Sequence, residues 1–292
     1  MLEGLLDAGF SIQGTWPMRS ELGNRMLSMG TNALASSIVL ACRPRPADAG
    51  VTTRAAFVAA LKRELPEALR TLQHGSIAPV DLAQAAIGPG MAVFSRYAKV
   101  LEPDGSAMRV RTALGLINAV LDEVLAEQEG EFDADTRFAV TWYGQHGFGE
   151  GRFGEADVLA RARDTAVDGL VRAGIVRSGG GKVALLSREE LDPTWDPAQD
   201  RRPTVWEATQ HLVRRLHDEG ENAAADLLAR LGGLGDVARD LAYRLYLVAE
   251  RKGWTEEARA YNALVRAWPD LSRLAEARRA AGPTQQALGL GG

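Results

Sequence analysis

The hydrophobic pattern changes character along the chain. Leu2, Leu5 and Leu6 put an apolar stripe on a helix stub over 1–8, and Gly9 is placed to end it. Phe10, Ile12 and Trp16 then alternate approximately with smaller or polar residues before Pro17, which predicts a strand over 10–16. A polar loop from Met18 to Leu34 follows, holding Gly23, Asn24, Gly30 and Asn32. Ser36 to Cys42 is a short, largely apolar run stopped by Arg43-Pro44-Arg45-Pro46, and it predicts a strand buried on both faces. Cys42 reads as a buried residue of that strand, not a nucleophile. Two strands alone are marginally stable, and a strand of this type leaves backbone and apolar surface open. The pair is therefore expected to dock on further structure.

Beyond residue 46 the period becomes helical. Phe57, Leu61 and Leu65 share a face, and Pro66 suits the first turn of a new helix carrying Leu69 and Leu72. Ile87-Gly88-Pro89-Gly90-Met91 reads as a turn into a helix through Phe94 and Tyr97. Val110, Leu114, Ile117, Leu121 and Val124 mark an amphipathic helix, and another covers 133–145. The glycine-dense stretch 147–154 reads as a linker or tight loop. A helix near Glu155, a second over 165–173 ended by Gly174, and a hairpin over 175–186 follow the order at the end of a winged helix. A Pro/Asp-rich connector, 192–203, leads to Thr204 and Glu207 at capping-box spacing. Val237, Leu241, Leu245 and Val248 mark one late helix; Trp254, Ala258, Tyr261 and Val265 mark its partner. The pattern lapses beyond Ala275, where fraying is expected.

Composition narrows the function classes. The net charge of −4 over 292 residues argues against nucleic-acid binding by the whole surface, although a local basic face stays open. One cysteine excludes an intramolecular disulfide and a cysteine-based zinc cluster. His74, His146, His211 and His217 lack metal-ligand spacing and read as surface or core residues. No signal peptide or membrane-spanning run is apparent, so the default compartment is the cytoplasm. Trp206, Tyr243, Tyr246, Trp254, Tyr261 and Trp268 crowd into the last ninety or so residues at helical spacing, which favours core over a partner surface.

Two long stretches, TWPMRSELGNRMLSMGTNALASSIVLACRPR and IAPVDLAQAAIGPGMAVFSRYAKVLEPDG, resemble the C-terminal part of the large prokaryotic adenine-specific DNA methylases. TVWEATQHL and LAYRLYLVAERKGWTEEARAYNALV resemble the helical tail of that family. Some of its members are associated with anti-phage loci, and some bear a zinc-ribbon insert. The resemblance covers nearly the whole chain but only the end of the family's architecture. It implies that residues 10–16 and 36–42 are the last two strands, an antiparallel pair, of a Rossmann-like methyltransferase sheet, with the stub 1–8 as the preceding helix. It also implies S-adenosylmethionine as cofactor of the complete enzyme. The glycine-rich cofactor turn and the polar-Pro-Pro-aromatic motif that holds a flipped base lie upstream of these strands in the family, so no cofactor is expected on this chain alone.

Two look-alikes are weighed against that absence. Asp192-Pro193-Thr194-Trp195 imitates the catalytic motif but has Thr where the second Pro belongs, and Asp-Pro favours a connector turn. Gly147-Phe148-Gly149-Glu150-Gly151 imitates a cofactor loop but follows no strand, so it reads as a plain loop. Candidate DNA contacts are Arg19, Arg25, Arg43 and Arg45 beside the strand pair, with Arg172 and Lys182 on the winged-helix-like segment. Against them stand solvated or paired charges, for instance with Glu21, and a face diluted by Asp164 and Asp168. Asn24 and Asn32 suit ordering of the loop.

The expected fold is mainly α. A short N-terminal β-hairpin-like remnant of the methyltransferase sheet (1–46) precedes a helical region (47–150), a winged-helix-like unit (151–192), a C-terminal helical bundle (193–275) and a frayed tail (276–292). The expected function is that of a C-terminal fragment or subunit of an adenine-specific DNA methyltransferase, inactive alone. It would meet DNA through the complete enzyme, and its partner would be the missing N-terminal half or other defence-system proteins. The alternative is a non-catalytic helical and winged-helix interaction module. No nucleophile–base pair, carboxylate pair or metal site supports an independent enzyme.

Overall fold

The computed structural model describes residues 2–18, 37–75 and 77–281. It is mainly α-helical with an antiparallel strand pair near its N-terminus, and it divides into two units, residues 1–131 and 132–292.

In the first unit, α1 (Leu2–Asp7) gives way at Gly9, whose φ of +81° suits a residue without Cβ. β1 (Phe10–Met18) pairs antiparallel with β2 (Ser37–Pro44), from Phe10 opposite Pro44 to Met18 opposite Ser37, with a bulge between Ile12 and Gly14. β3 (Val51–Thr53) leads into α2 (Arg54–His74), where the Thr53 side chain accepts from the Ala56 amide as an N-cap. α3 (Pro79–Ser95), β4 (Lys99–Leu101, parallel to β3) and α4 (Val110–Gln128) complete the unit.

Two sequence expectations are corrected here. Pro66 does not open a new helix, because α2 runs unbroken through it. An interior proline costs about 3 kcal/mol. The stripe Phe57, Leu61, Leu65 and Leu69 is fully buried on both sides of it, and each such side chain contributes about 1.5–3 kcal/mol. Likewise Ile87 to Met91 is not a turn but the middle of α3. Its glycines serve close approach: a Cβ at Gly88 would fall on the Thr15 side chain, and one at Gly90 would lie 2.6 Å from Ile117.

In the second unit, α5 (Ala134–His146) is followed by β5 (Gly151–Arg152), α6 (Phe153–Ala162), α7 (Val167–Arg172), β6 (Val176–Gly179) and β7 (Lys182–Leu185). The three strands form an antiparallel sheet in the order β5–β7–β6. Four helices follow: α8 (Val205–Glu219), α9 (Glu221–Leu231), α10 (Gly233–Lys252) and α11 (Thr255–Ala281). The capping box is formed, with Thr204 and Glu207 bonding reciprocally at the start of α8. Asp133 caps two helices at once. Its Oδ1 accepts from the Thr136 amide, while Oδ2 accepts from the Thr136 hydroxyl and from the Val205 amide.

The hydrophobic pattern does not single out α9. It also stops α11 too early, since the helix continues past Ala275 to Ala281. There Arg278 reaches α9, donating to the Asn222 carbonyl at 3.1 Å and pairing with Asp226. The rest of the expected frayed tail, 282–292, lies outside the described residues. Trp206, Tyr243, Tyr246, Tyr261 and Trp268 are buried in the core of this unit, and Trp254 is half-buried. Among the described residues, no helix is long and apolar enough to cross a membrane.

Candidate functional site

The strand pair is held by α3, and the sequence of α3 explains how. Gly88 leaves room for the Thr15 side chain. Pro89, one residue on, has no amide to offer the Ala85 carbonyl, which would otherwise remain unpaired inside the helix. The Thr15 hydroxyl donates to that carbonyl at 3.1 Å. At the end of α3, the buried Ser95 hydroxyl accepts the Ile12 amide at 2.8 Å beside the bulge. Gly88-Pro89 is thus a socket for β1, built from a missing Cβ and a missing N–H.

The pair is not enclosed. Val39 on β2 is 49% exposed and its cross-strand neighbour Trp16 is 56% exposed. The expectation of a strand buried on both faces is corrected accordingly. Cys42, expected to be buried, is half-buried. The reason is the sheet itself: it has two strands, α3 lies against β1, and no strand among the described residues pairs with the outer edge of β2.

The candidate arginines are distributed unequally. Arg19, Arg25, Asn24 and Asn32 lie outside the described residues. Arg43 is exposed on β2. Arg45 is turned inward: its guanidinium donates to the carbonyls of Leu6 (3.0 Å), Phe10 (3.2 Å) and Ala98 (3.4 Å), which makes it a clamp between α1, β1 and the segment before β4. On the other unit, Arg172 is exposed at the end of α7. Lys182 pairs with Glu150 at 2.7 Å, and Arg177 pairs with Glu150 and Glu190 at 3.3 and 3.2 Å. The hairpin cations are therefore gathered around carboxylates, whose charge offsets theirs.

The two look-alike motifs have structural roles. Asp192 accepts from the Thr194 amide (2.8 Å) and hydroxyl (2.7 Å), an Asx turn. Trp195 stacks on the buried His211 ring, with centroids 4.4 Å apart. In the glycine-dense stretch, Gly147 has φ +62°, and a Cβ there would meet the Trp254 ring at 3.3 Å; a Cβ at Gly151 would run into Trp142. Aromatic packing, not phosphate approach, accounts for these two glycines. His74 and His217 are exposed and His146 is half-buried. No group of three or more metal-ligating side chains occurs among the described residues.

Residues 133–288, more than half of the chain, match a family described as a domain of unknown function, DUF8807. The chain belongs to this family. No curated protein and no solved structure matches it.

The DUF8807 region holds a polar network that the sequence reading missed. Arg188 donates to both carboxylate oxygens of Glu257, at 3.2 and 2.6 Å, and through Nε to Gln210 at 3.1 Å. Its guanidinium lies 5.0 Å from the Tyr261 ring centroid and 5.7 Å from that of Phe148. Gln210 donates to the Tyr261 hydroxyl at 3.1 Å, and the Tyr143 hydroxyl donates to Glu257 at 3.5 Å. Burial pushes the Tyr261 hydroxyl up to about 12 and that of Tyr143 well above the usual phenol range, so both stay neutral donors. The ion pair ties Arg188 to Glu257 in the first turn of α11. No sequence signal marked it, because its partners are separated by up to 114 positions and belong to no short motif.

Proposed function

We propose that this chain carries the C-terminal end of an S-adenosylmethionine-dependent, adenine-specific DNA methyltransferase. β1 and β2 are the antiparallel close of the methyltransferase sheet, and a further strand pairs with the outer edge of β2. The observation that carries this reading is β2 itself: an apolar strand bearing the exposed Val39, with no strand on its outer edge among the described residues. Such an edge invites strand addition along Ser37 to Cys42, which holds no proline or charge; Arg43 and Pro44 close β2 beyond it. The long stretches resembling the methylase family supply the identity of the sheet. The glycine-rich turn and Pro-Pro-aromatic motif would be contributed from upstream of β1. In the complete enzyme Arg43, on the closing strand, is a candidate phosphate contact; Arg19 and Arg25, outside the described residues, are candidates from the sequence alone.

We read the order α5, β5, α6, α7, β6, β7 as a winged-helix-like unit. Its hairpin cations Arg177 and Lys182 are already paired with glutamates, and Val158 and Val171 are 69% and 42% exposed on its two short helices. These features favour contact with another protein over DNA, the interaction-module reading for this segment.

The test is reconstitution. This chain would be co-expressed with a methylase N-terminal half bearing both upstream motifs, and transfer of labelled methyl groups to adenine in DNA would be followed. The expected result is a stable complex that methylates DNA, while this chain alone neither binds S-adenosylmethionine nor transfers methyl groups. Micromolar S-adenosylmethionine binding by this chain alone, or no association with the N-terminal half, would overturn the reading.

A further inference from the structure

In the second unit a cavity of about 340 Å³ opens where the end of α5 meets the first turn of α11. Tyr143, His146, Phe148 and Trp254 form its ring-bearing wall, and Glu256 and Glu257 line it from α11. No lysine or arginine lines it. The rings stand at steep angles to one another: Tyr143 is 5.5 Å and 68° from Phe148, and 5.2 Å and 72° from Trp254. This arrangement makes walls with a corner, not a closed stack. Gly147 keeps Trp254 in place, because the positive φ there and the 3.3 Å approach of the indole both exclude a side chain.

The same cluster already holds one cation by this chemistry. Arg188 sits over the faces of Phe148 and Tyr261 and is bound at both nitrogens by Glu257. Glu256, beside it on the cavity, is held only by an exposed pair with Arg259 at 2.8 Å, and its side chain is 84% exposed. Exposed pairs of this kind hold weakly and yield readily to a competing cation. Aromatic faces attract cations through their ring quadrupoles, and alkylated ammonium groups, too poorly hydrated to prefer water, are the cations such walls hold best. The volume falls at the small end of ligand cavities, enough for a trimethylammonium head group with part of its stem.

We propose that this cavity binds an alkylated ammonium cation against its aromatic wall of Phe148 and Trp254, with Glu256 completing the site. The head group could belong to a small quaternary amine or to a methylated lysine of a protein. The test titrates the whole chain with choline, with a trimethyl-lysine peptide, and with 3,3-dimethylbutan-1-ol, the uncharged isostere of choline. Binding is followed by calorimetry and by the indole N–H resonance of Trp254, assigned with Trp254→Phe. Choline should shift that resonance and bind about tenfold more tightly than the isostere. Phe148→Leu, which keeps apolar volume but removes the ring, should weaken choline about tenfold, and Glu256→Gln about threefold. A peptide binding more tightly than choline identifies a protein partner, and equal affinities identify the free amine; both support the site. Equal binding of choline and its isostere, or no movement of the Trp254 resonance at any soluble concentration, would overturn it. Those comparisons use the unmodified chain, so a variant that fails to fold does not rescue the proposal.

Discussion

Glu207 and His211 stand one helical turn apart on α8, both buried, and burial displaces their protonation equilibria in ways that oppose each other in stability. Burial raises the Glu207 carboxyl from 4.5 to about 7, against the lowering effect of two hydrogen bonds from Thr204; Asp200 and Asp133 push it further up. Burial, aided by Arg214 and Arg215, lowers His211 from 6.5 to about 4. Each displacement corresponds to about 3 kcal/mol at about 1.4 kcal/mol per pH unit. A carboxyl raised in the folded state favours folding fully below its unfolded value, so the Glu207 contribution is present below 4.5 and is lost as pH rises to about 7. A histidine lowered in the folded state works the other way, so the His211 contribution is present above 6.5 and is lost as pH falls to about 4. Between about 4.5 and 6.5 the two slopes cancel.

Glu207→Gln removes one of them while keeping the capping box, since glutamine can also accept from the Thr204 amide. The stability of this variant minus that of the parent should rise by about 3 kcal/mol from pH 4.5 to 7 and then level off. Chemical denaturation at a series of pH values, read by tryptophan fluorescence, measures it, because every tryptophan except Trp16 lies in the second unit. His211→Gln should give a difference curve of the opposite slope between about 4 and 6.5. A flat difference curve for Glu207→Gln, or one that falls with pH, would refute the reasoning.

Two further predictions concern the joints of each unit. Gly88→Ala puts a methyl group onto Thr15 and should destabilise the first unit by about 2–3 kcal/mol. Thr15→Val should cost about 1–3 kcal/mol, because the Ala85 carbonyl loses its donor across from Pro89. Thermal unfolding measures both, and neutral behaviour of Gly88→Ala would mean that β1 does not seat on α3. Asp133→Ala removes the cap from α5 and α8 together and should cost about 2–3 kcal/mol, roughly twice a single cap, by denaturant midpoint. A loss below about 1 kcal/mol would show that one helix end does not depend on it.

Most of the helices were legible from residue spacing, because a helix buries one stripe and that stripe recurs every three to four positions. The hairpin at 175–186 and the Thr204–Glu207 box were legible for the same local reason: each depends on residues close in sequence. The two N-terminal strands were legible one at a time, while their antiparallel pairing was implied only by the family resemblance. Long-range packing was not. Gly88-Pro89-Gly90 spells a turn locally, and became the middle of a helix because Thr15 and Ile117, distant in sequence, fill the space its glycines leave. Pro66 spells a helix start, yet the buried stripe on either side of it carries α2 through. Arg45 reads as a surface cation and is a clamp on three carbonyls, while Arg188 and Glu257 meet across 69 positions with no motif to announce them. Periodicity along the chain marks most of the helices, but not α9, the middle of α3 or the short strands β3, β4 and β5. Which glycine makes a turn and which makes room, and which charge meets water and which meets a carbonyl, depends on what the fold brings alongside.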